Sequence, residues 1–174
     1  MKKLIVSLSL AVLCLSTSIV FSQTTFTGAI SNDWAEAGNW DNGLPAMGND
    51  ATIPAGSNVV IAGFIFNDGT IYNGGTIYNG GTIYNGGTIE NYGNINNDGN
   101  INNDGTIDNG GTINNGGTIN NYGAINNGGT IVNVGTIENS NYGTIVNVGT
   151  IDNYGGIDNY GGIVNYGGIN QCGS

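Results

Sequence analysis

The sequence predicts an all-β fold: a parallel β-solenoid built of G-T-I-x-N-x hexapeptides, three per coil, with an N-terminal cap. Three observations carry this prediction. An isoleucine recurs every sixth residue from Ile65 to Ile137, and again from Ile145 to Ile169. An asparagine follows each isoleucine by two positions from Asn67 to Asn165, with Gln171 in that place at the end. A glycine precedes each isoleucine by two. A six-residue period places no stripe on a 3.6-residue helix, and Gly and Asn are poor helix formers.

The chain divides into three parts: residues 1–22 a signal peptide, 23–62 a capping segment, and 63–174 the hexapeptide solenoid. Met1-Lys2-Lys3 precedes an apolar run from Leu4 to Val20. Such a run has the length of a secretory h-region, and Val20 and Ser22 sit where a cleavage site wants small residues, placing the cut before Gln23. A retained membrane anchor is the rival reading, but the run is short for a bilayer. The protein is therefore expected to be secreted or held at the cell surface.

Removing the leader removes Lys2 and Lys3, the only basic residues, and Cys14. What remains has twelve acidic side chains and no Lys, Arg or His. A surface without cations cannot neutralise phosphates, which excludes nucleic acid as a partner and argues against anionic membranes. Cys172 then stands alone, either a spectator thiol or the site of an intermolecular bond.

Residues Thr24–Phe64 lack the hexapeptide and carry Trp34, Trp40 and both prolines. A solenoid exposes its core and unpaired strand edges at the first coil, and this segment has the aromatic bulk to cover them. Buried cap aromatics and sugar-stacking platforms are the two readings of the tryptophans.

Within each repeat, T-I-x is a short extended segment. Ile points inward; Thr and the x residue point outward. Asn and the following residues turn the corner, since Asn and Gly tolerate positive φ, and the glycine leaves room for the isoleucine. Asn side chains stack from coil to coil as amide ladders. Three hexapeptides make a triangular coil of about eighteen residues. A two-sided coil draws on the near-copies "GTIVNVGTIEN" (Gly129–Asn139) and "GTIVNVGTIDN" (Gly143–Asn153). An antiparallel meander and a disordered low-complexity chain complete the alternatives. Ser140 and Asn141 are two extra residues that a strand cannot absorb without flipping its faces, so they bulge at a corner.

Ile at every sixth position with a small residue two before it resembles the hexapeptide left-handed β-helix of acyltransferases and of some insect antifreeze proteins, over about residues 63–170. The corner falls one position earlier here. The acyltransferases use a catalytic His, which this chain lacks, so that activity does not carry over. The "W…A.NW..G.P…D.A.IP.G" wording before the repeat resembles the opening segment of many secreted bacterial β-helix and surface-repeat proteins. The resemblance implies a secreted or surface-bound structural protein.

For chemistry, His-assisted nucleophiles, a Lys Schiff base and a Cys/His zinc site are all excluded by composition. The expectation is a non-enzyme. Carboxylates could take calcium: the candidates are Asp68, Asp98 and Asp104 in N-D-G corners, and Glu90 with Asp108, which a three-sided coil stacks. The outward threonines Thr70, Thr76, Thr82, Thr88, Thr106, Thr112, Thr118, Thr130 and Thr136 form a candidate surface-binding array. Two functions follow. One is a structural or adhesive rod meeting extracellular polysaccharide, a surface or other copies of itself. The alternative is ice binding through the threonine columns, although the antifreeze Thr-x-Thr is here Thr-x-Tyr, Thr-x-Asn or Thr-x-Asp.

Overall fold

A computed structural model describes residues 23–46 and 48–172. The signal-peptide expectation for residues 1–22 lies outside the described residues. The strands are, in chain order, β1 (Thr24–Thr25), β2 (Ala51–Ile53), β3 (Asn58–Ile61), β4 (Phe64–Asn67), β5 (Thr70–Asn73), β6 (Thr76–Asn79), β7 (Thr82–Asn85) and β8 (Thr88–Asn91). There follow β9 (Asn94–Asn97), β10 (Asn100–Asn103), β11 (Thr106–Asn109), β12 (Thr112–Asn115), β13 (Thr118–Asn121), β14 (Ala124–Asn127) and β15 (Thr130–Asn133). The last are β16 (Thr136–Asn139), β17 (Thr144–Asn147), β18 (Thr150–Asn153), β19 (Gly156–Asn159), β20 (Gly162–Asn165) and β21 (Gly168–Gln171).

From β2 onward each strand pairs in parallel with the strand three places on, so the coil has three sides. The first face runs β1-β2-β5-β8-β11-β14-β17-β20, the second β3-β6-β9-β12-β15-β18-β21, and the third β4-β7-β10-β13-β16-β19. Register is that of the hexapeptide: Ile83 lies beside Ile101, and Ile101 beside Ile119. The two-sided coil, the antiparallel meander and the disordered chain are thereby set aside. The sheets reach upstream of the repeat, since β2 and β3 already form two sides of the first coil.

The interior is a column of isoleucines, from Ile71 to Ile145 all within a few per cent of complete burial. Alternation along each strand brings Asn, two residues on, to the same inner side. Asn73 to Asn153 are as buried as the isoleucines. They are satisfied by ladders, save Asn73 Oδ1, which heads its ladder beside Ile53 and has no hydrogen-bond partner among the described residues. Asn79 Nδ2 donates to Asn97 Oδ1 at 2.7 Å, Asn97 to Asn115, Asn115 to Asn133 and Asn133 to Asn153. The same Nδ2 group also reaches a backbone carbonyl of the following coil, as Asn79 does at Asn100 O. Ladders of the same kind start at Asn67 and Asn73 on the other faces. A buried amide without partners costs about 1–3 kcal/mol; here each amide is the partner of the next.

Two expectations about the corners need correction. Among the described residues no non-glycine has positive φ, and the positive-φ glycines are Gly28, Gly43, Gly48 and Gly56, all before the repeat. The triangular coil therefore bends without left-handed backbone. Nor does glycine make room for isoleucine. A Cβ on Gly87 or Gly117 would overlap the carbonyl oxygen of the glycine eighteen residues earlier, Gly69 or Gly99. Close stacking of successive corners is what demands glycine there.

The insertion behaves as anticipated. Ser140 and Asn141 sit in a turn between β16 and β17, closed by Gly143 N donating to Ser140 O at 2.9 Å. The ladders pass it by widening their spacing: Asn127 donates to Asn147, and Asn133 to Asn153, twenty residues on.

At the head, β1 pairs with β2 on the first face, and Asp33 bridges to Val60 on the second. Trp34, Trp40 and Phe26 are at most 7% exposed. Trp40 packs edge-on against both Trp34 (4.8 Å between ring centroids) and Phe26 (5.2 Å), and its Nε1 donates to Trp34 O at 2.9 Å. Their burial sets aside the sugar-stacking reading. Asn39, fully buried, organises the loop around them. Its Oδ1 accepts from Ile30 N and Ser31 N, and its Nδ2 donates to Ser31 Oγ and Asp33 O.

Candidate functional site

The outward positions of each strand define what the molecule offers to others. On most strands of the repeat, as in β5 and β11, these are the Thr and x positions, which alternate with the buried Ile and Asn. The nine candidate threonines all point outward, but the three-sided coil distributes them. Thr70, Thr88 and Thr106 line up on the first face, and Ala124 interrupts them. Thr76, Thr112 and Thr130 lie on the second face, with Asn94 between the first two. Thr82, Thr118 and Thr136 lie on the third, with Asn100 between the first two. The columns are thus real, short and separate, three candidates to a face.

The calcium candidates are likewise divided. Asp68 and Asp104 fall at the corner between the third and first faces, and Asp98 at the corner between the second and third. Glu90 and Asp108 are neighbours on the first face, as the three-sided coil requires. Tyr92 Oη donates to Glu90 Oε2 at 3.2 Å, and Asn126 Nδ2 donates to Asp108 Oδ1 at 2.7 Å. The charge of Glu90, and the hydrogen bond to it, hold the Tyr92 hydroxyl above the usual phenol range. Among the described residues no three His, Cys, Asp or Glu side chains converge on a position that could hold a metal ion.

A feature the repeat reading missed stands at the head of the third face. Where later strands read T-I-x-N, β4 reads F-I-F-N. Phe64 is 70% exposed and Phe66 53%. The Phe66 ring stacks on Tyr84 of the next coil, 4.9 Å between centroids, and meets Phe64 edge-on at 5.8 Å. Between these rings and the cap lies a slot of about 260 Å3, lined by Trp34, Ala35, Leu44, Pro45 and Phe64 to Phe66. The departure from T-I-x-N was the available signal; that the cap stops short of this face was not readable from composition.

Farther along, the corners carry exposed Tyr and Val: Val134, Val148, Tyr154, Tyr160 and Tyr166. Cys172 lies in this region, and the proximity of its thiol raises the Tyr154 hydroxyl above its ordinary value. Comparison with protein-family models, with curated proteins and with solved structures returned no match for this chain.

Proposed function

We propose that the chain is an extracellular, non-enzymatic structural β-solenoid: a short stiff spacer whose Thr, Asn and Tyr columns make many weak contacts with polysaccharide or another surface. The observation that carries this is the unbroken register of three parallel sheets from Ala51 to Gln171. Such a body has one repeated geometry and three repeated outer surfaces, which suits spacing and multivalent contact. The likeness of its opening segment to secreted bacterial surface-repeat proteins supports the extracellular setting. So does an acidic, cation-free composition after residue 3, which favours solubility.

The test has two parts. Expressed with its own leader, the protein should leave the cytoplasm and begin at Gln23 by mass; retention inside the cell would defeat the secreted reading. Purified, it should scatter as a solenoid whose seven-stranded second face spans ~30 Å at the usual strand spacing, and should sediment with insoluble polysaccharide. The same protein with Tyr78 and Tyr84 changed to Ser should sediment less. Unchanged sedimentation would remove these columns from the contact. Ice binding is the second reading, and the aligned Thr70–Thr88–Thr106 column is what favours it. Crystals growing unshaped in its presence would dispose of it.

A further inference from the structure

The cap covers the head of the solenoid unevenly. It supplies backbone partners to two of the three leading strands: β1 to β2, and the Asn32–Trp34 stretch to Val60 of β3. Nothing among the described residues pairs with the head side of β4, which ends its sheet. In a parallel ladder alternate residues turn their N–H and C=O groups to opposite neighbours. Gly63 O accepts from Thr82 N on the β7 side, so Phe64 and Phe66 turn theirs to the open side. The inner edge of this opening exposes Ile65 at 9%, more than the later isoleucines up to Ile151. The Asn67 amide heads its ladder: its Nδ2 donates tailward, and among the described residues no coil above it supplies a donor to its oxygen. Backbone donors and acceptors, an apolar slot and an amide acceptor thus lie along one line, at the spacing of an I-x-N strand.

We propose that this edge is a docking site for an extended segment of another protein, added as a strand to β4. One aliphatic side chain fills the slot, and lysine or arginine flanks it. The slot lies below the roughly 300–1,000 Å3 of small-molecule pockets, and an unpaired edge selects a backbone, as in strand-addition recognition. Charge decides the partner. Asp33 and Glu36 bracket Trp34 and Ala35, Asp68 follows β4, and no Lys, Arg or His occurs after residue 3 to offset them. A second copy brings the same acids and no cation, so it is the disfavoured occupant; a basic strand is favoured. The inference stands whether or not the outer columns contact polysaccharide.

The probe is a synthetic heptapeptide, lysine-glycine-threonine-isoleucine-valine-asparagine-lysine, titrated into the protein with tryptophan fluorescence and calorimetry as readouts. Three comparisons follow. Replacing both lysines by glutamate should weaken binding about tenfold or more, and added salt should weaken the lysine form. N-methylation of the peptide at isoleucine and asparagine should abolish binding. The double variant Phe64→Thr, Phe66→Asn gives β4 the T-I-N-N sequence of β12 and β13 at two exposed positions, so it should keep its circular dichroism and melting temperature while losing about tenfold in affinity. The proposal is overturned if the lysine peptide does not bind at millimolar concentration, if the N-methylated or glutamate form binds equally, or if the folded double variant binds unchanged. Concentration-dependent self-association that the peptide reverses would identify a second copy as the occupant, and would also overturn it.

Discussion

The coil formed by β11, β12 and β13 and the coil formed by β19, β20 and β21 have nearly the same inner sequence and very different surroundings. Ile107, Ile113 and Ile119 are at most 1% exposed; Ile157 and Ile163 are only partly buried, and Ile169 is 38% exposed. Asn109 gives its amide to Asn127 Oδ1 and to Thr130 O, in the coil that follows. Asn159 and Asn165 reach only Gly161 O and Gly167 O of their own coil. The outer threonine is also gone from the last coil, replaced by Gly156, Gly162 and Gly168. Burial here is thus a relation between neighbouring coils, not a property of a hexapeptide. An isolated repeat buries one isoleucine, worth about 1.5–3 kcal/mol, against the ordering entropy of its backbone. Hydrogen bonds and ladders across coils supply the difference; the last coil receives them from the coil before it, at Asn159, Asn165 and Gln171, while an inner coil has them on both sides.

That contrast can be broken most directly at its apolar core. Ile113→Asn should cost about 4 kcal/mol, because it opens a cavity and strands a second amide in it. Ile169→Asn should cost less than about 1 kcal/mol. Equal denaturation midpoints for the two variants would mean that the difference in burial between the two coils carries no difference in stability. Next come the ladders. Asn109→Ala removes the acceptor of Asn91 Nδ2 and the donor to Asn127 Oδ1; about 2–3 kcal/mol should be lost by urea titration. Asn114→Ser, on the outer surface with a single bond to Asn96 Oδ1, should stay within about 0.5 kcal/mol of the parent.

Glycine gives a finer test of the same difference. Gly117→Ala drives a methyl into Gly99 O and should cost about 1–3 kcal/mol. Gly168 meets nothing within 4 Å of the space a Cβ would fill, so Gly168→Ala should be neutral, or stabilising by about 0.4–1 kcal/mol through the unfolded chain. The smallest effect concerns the cap. Asp41 Oδ1 accepts from Thr25 N at 2.7 Å, and that bond holds its carboxyl below the usual carboxylate range. Its contribution is present above the unfolded carboxyl pKa and is lost as pH falls through the lowered folded value. Asp41→Asn should flatten the acid limb of a tryptophan-fluorescence melting series; an identical limb would assign the acid sensitivity elsewhere.

Much of the solenoid was legible because its information is local and repeated. The isoleucine period sets the strand pairing, the alternation puts Asn beside Ile, and the triple order of the x residues places Glu90 next to Asp108. The corner glycines were legible as glycines but not in their cause, which lies eighteen residues away in the backbone of another coil. The cap was legible only as aromatic bulk. That Asn39 would organise it depends on Ile30, Ser31 and Asp33 converging through irregular loops, and "AGNW" carries no sign of this. The third-face opening had a visible mark in F-I-F-N, but its meaning required knowing which strands the cap reaches.

The direction of the asparagine bonds has one more effect. From Asn67 to Asn147 the ladder N–H groups aim tailward, whereas at the corners backbone N–H groups aim headward, as Gly86 and Gly87 do toward Asn67 O. The two sets of amide dipoles therefore run in opposition and offset each other. Each added coil brings both sets together, so lengthening the array adds cohesion while the two sets go on opposing each other.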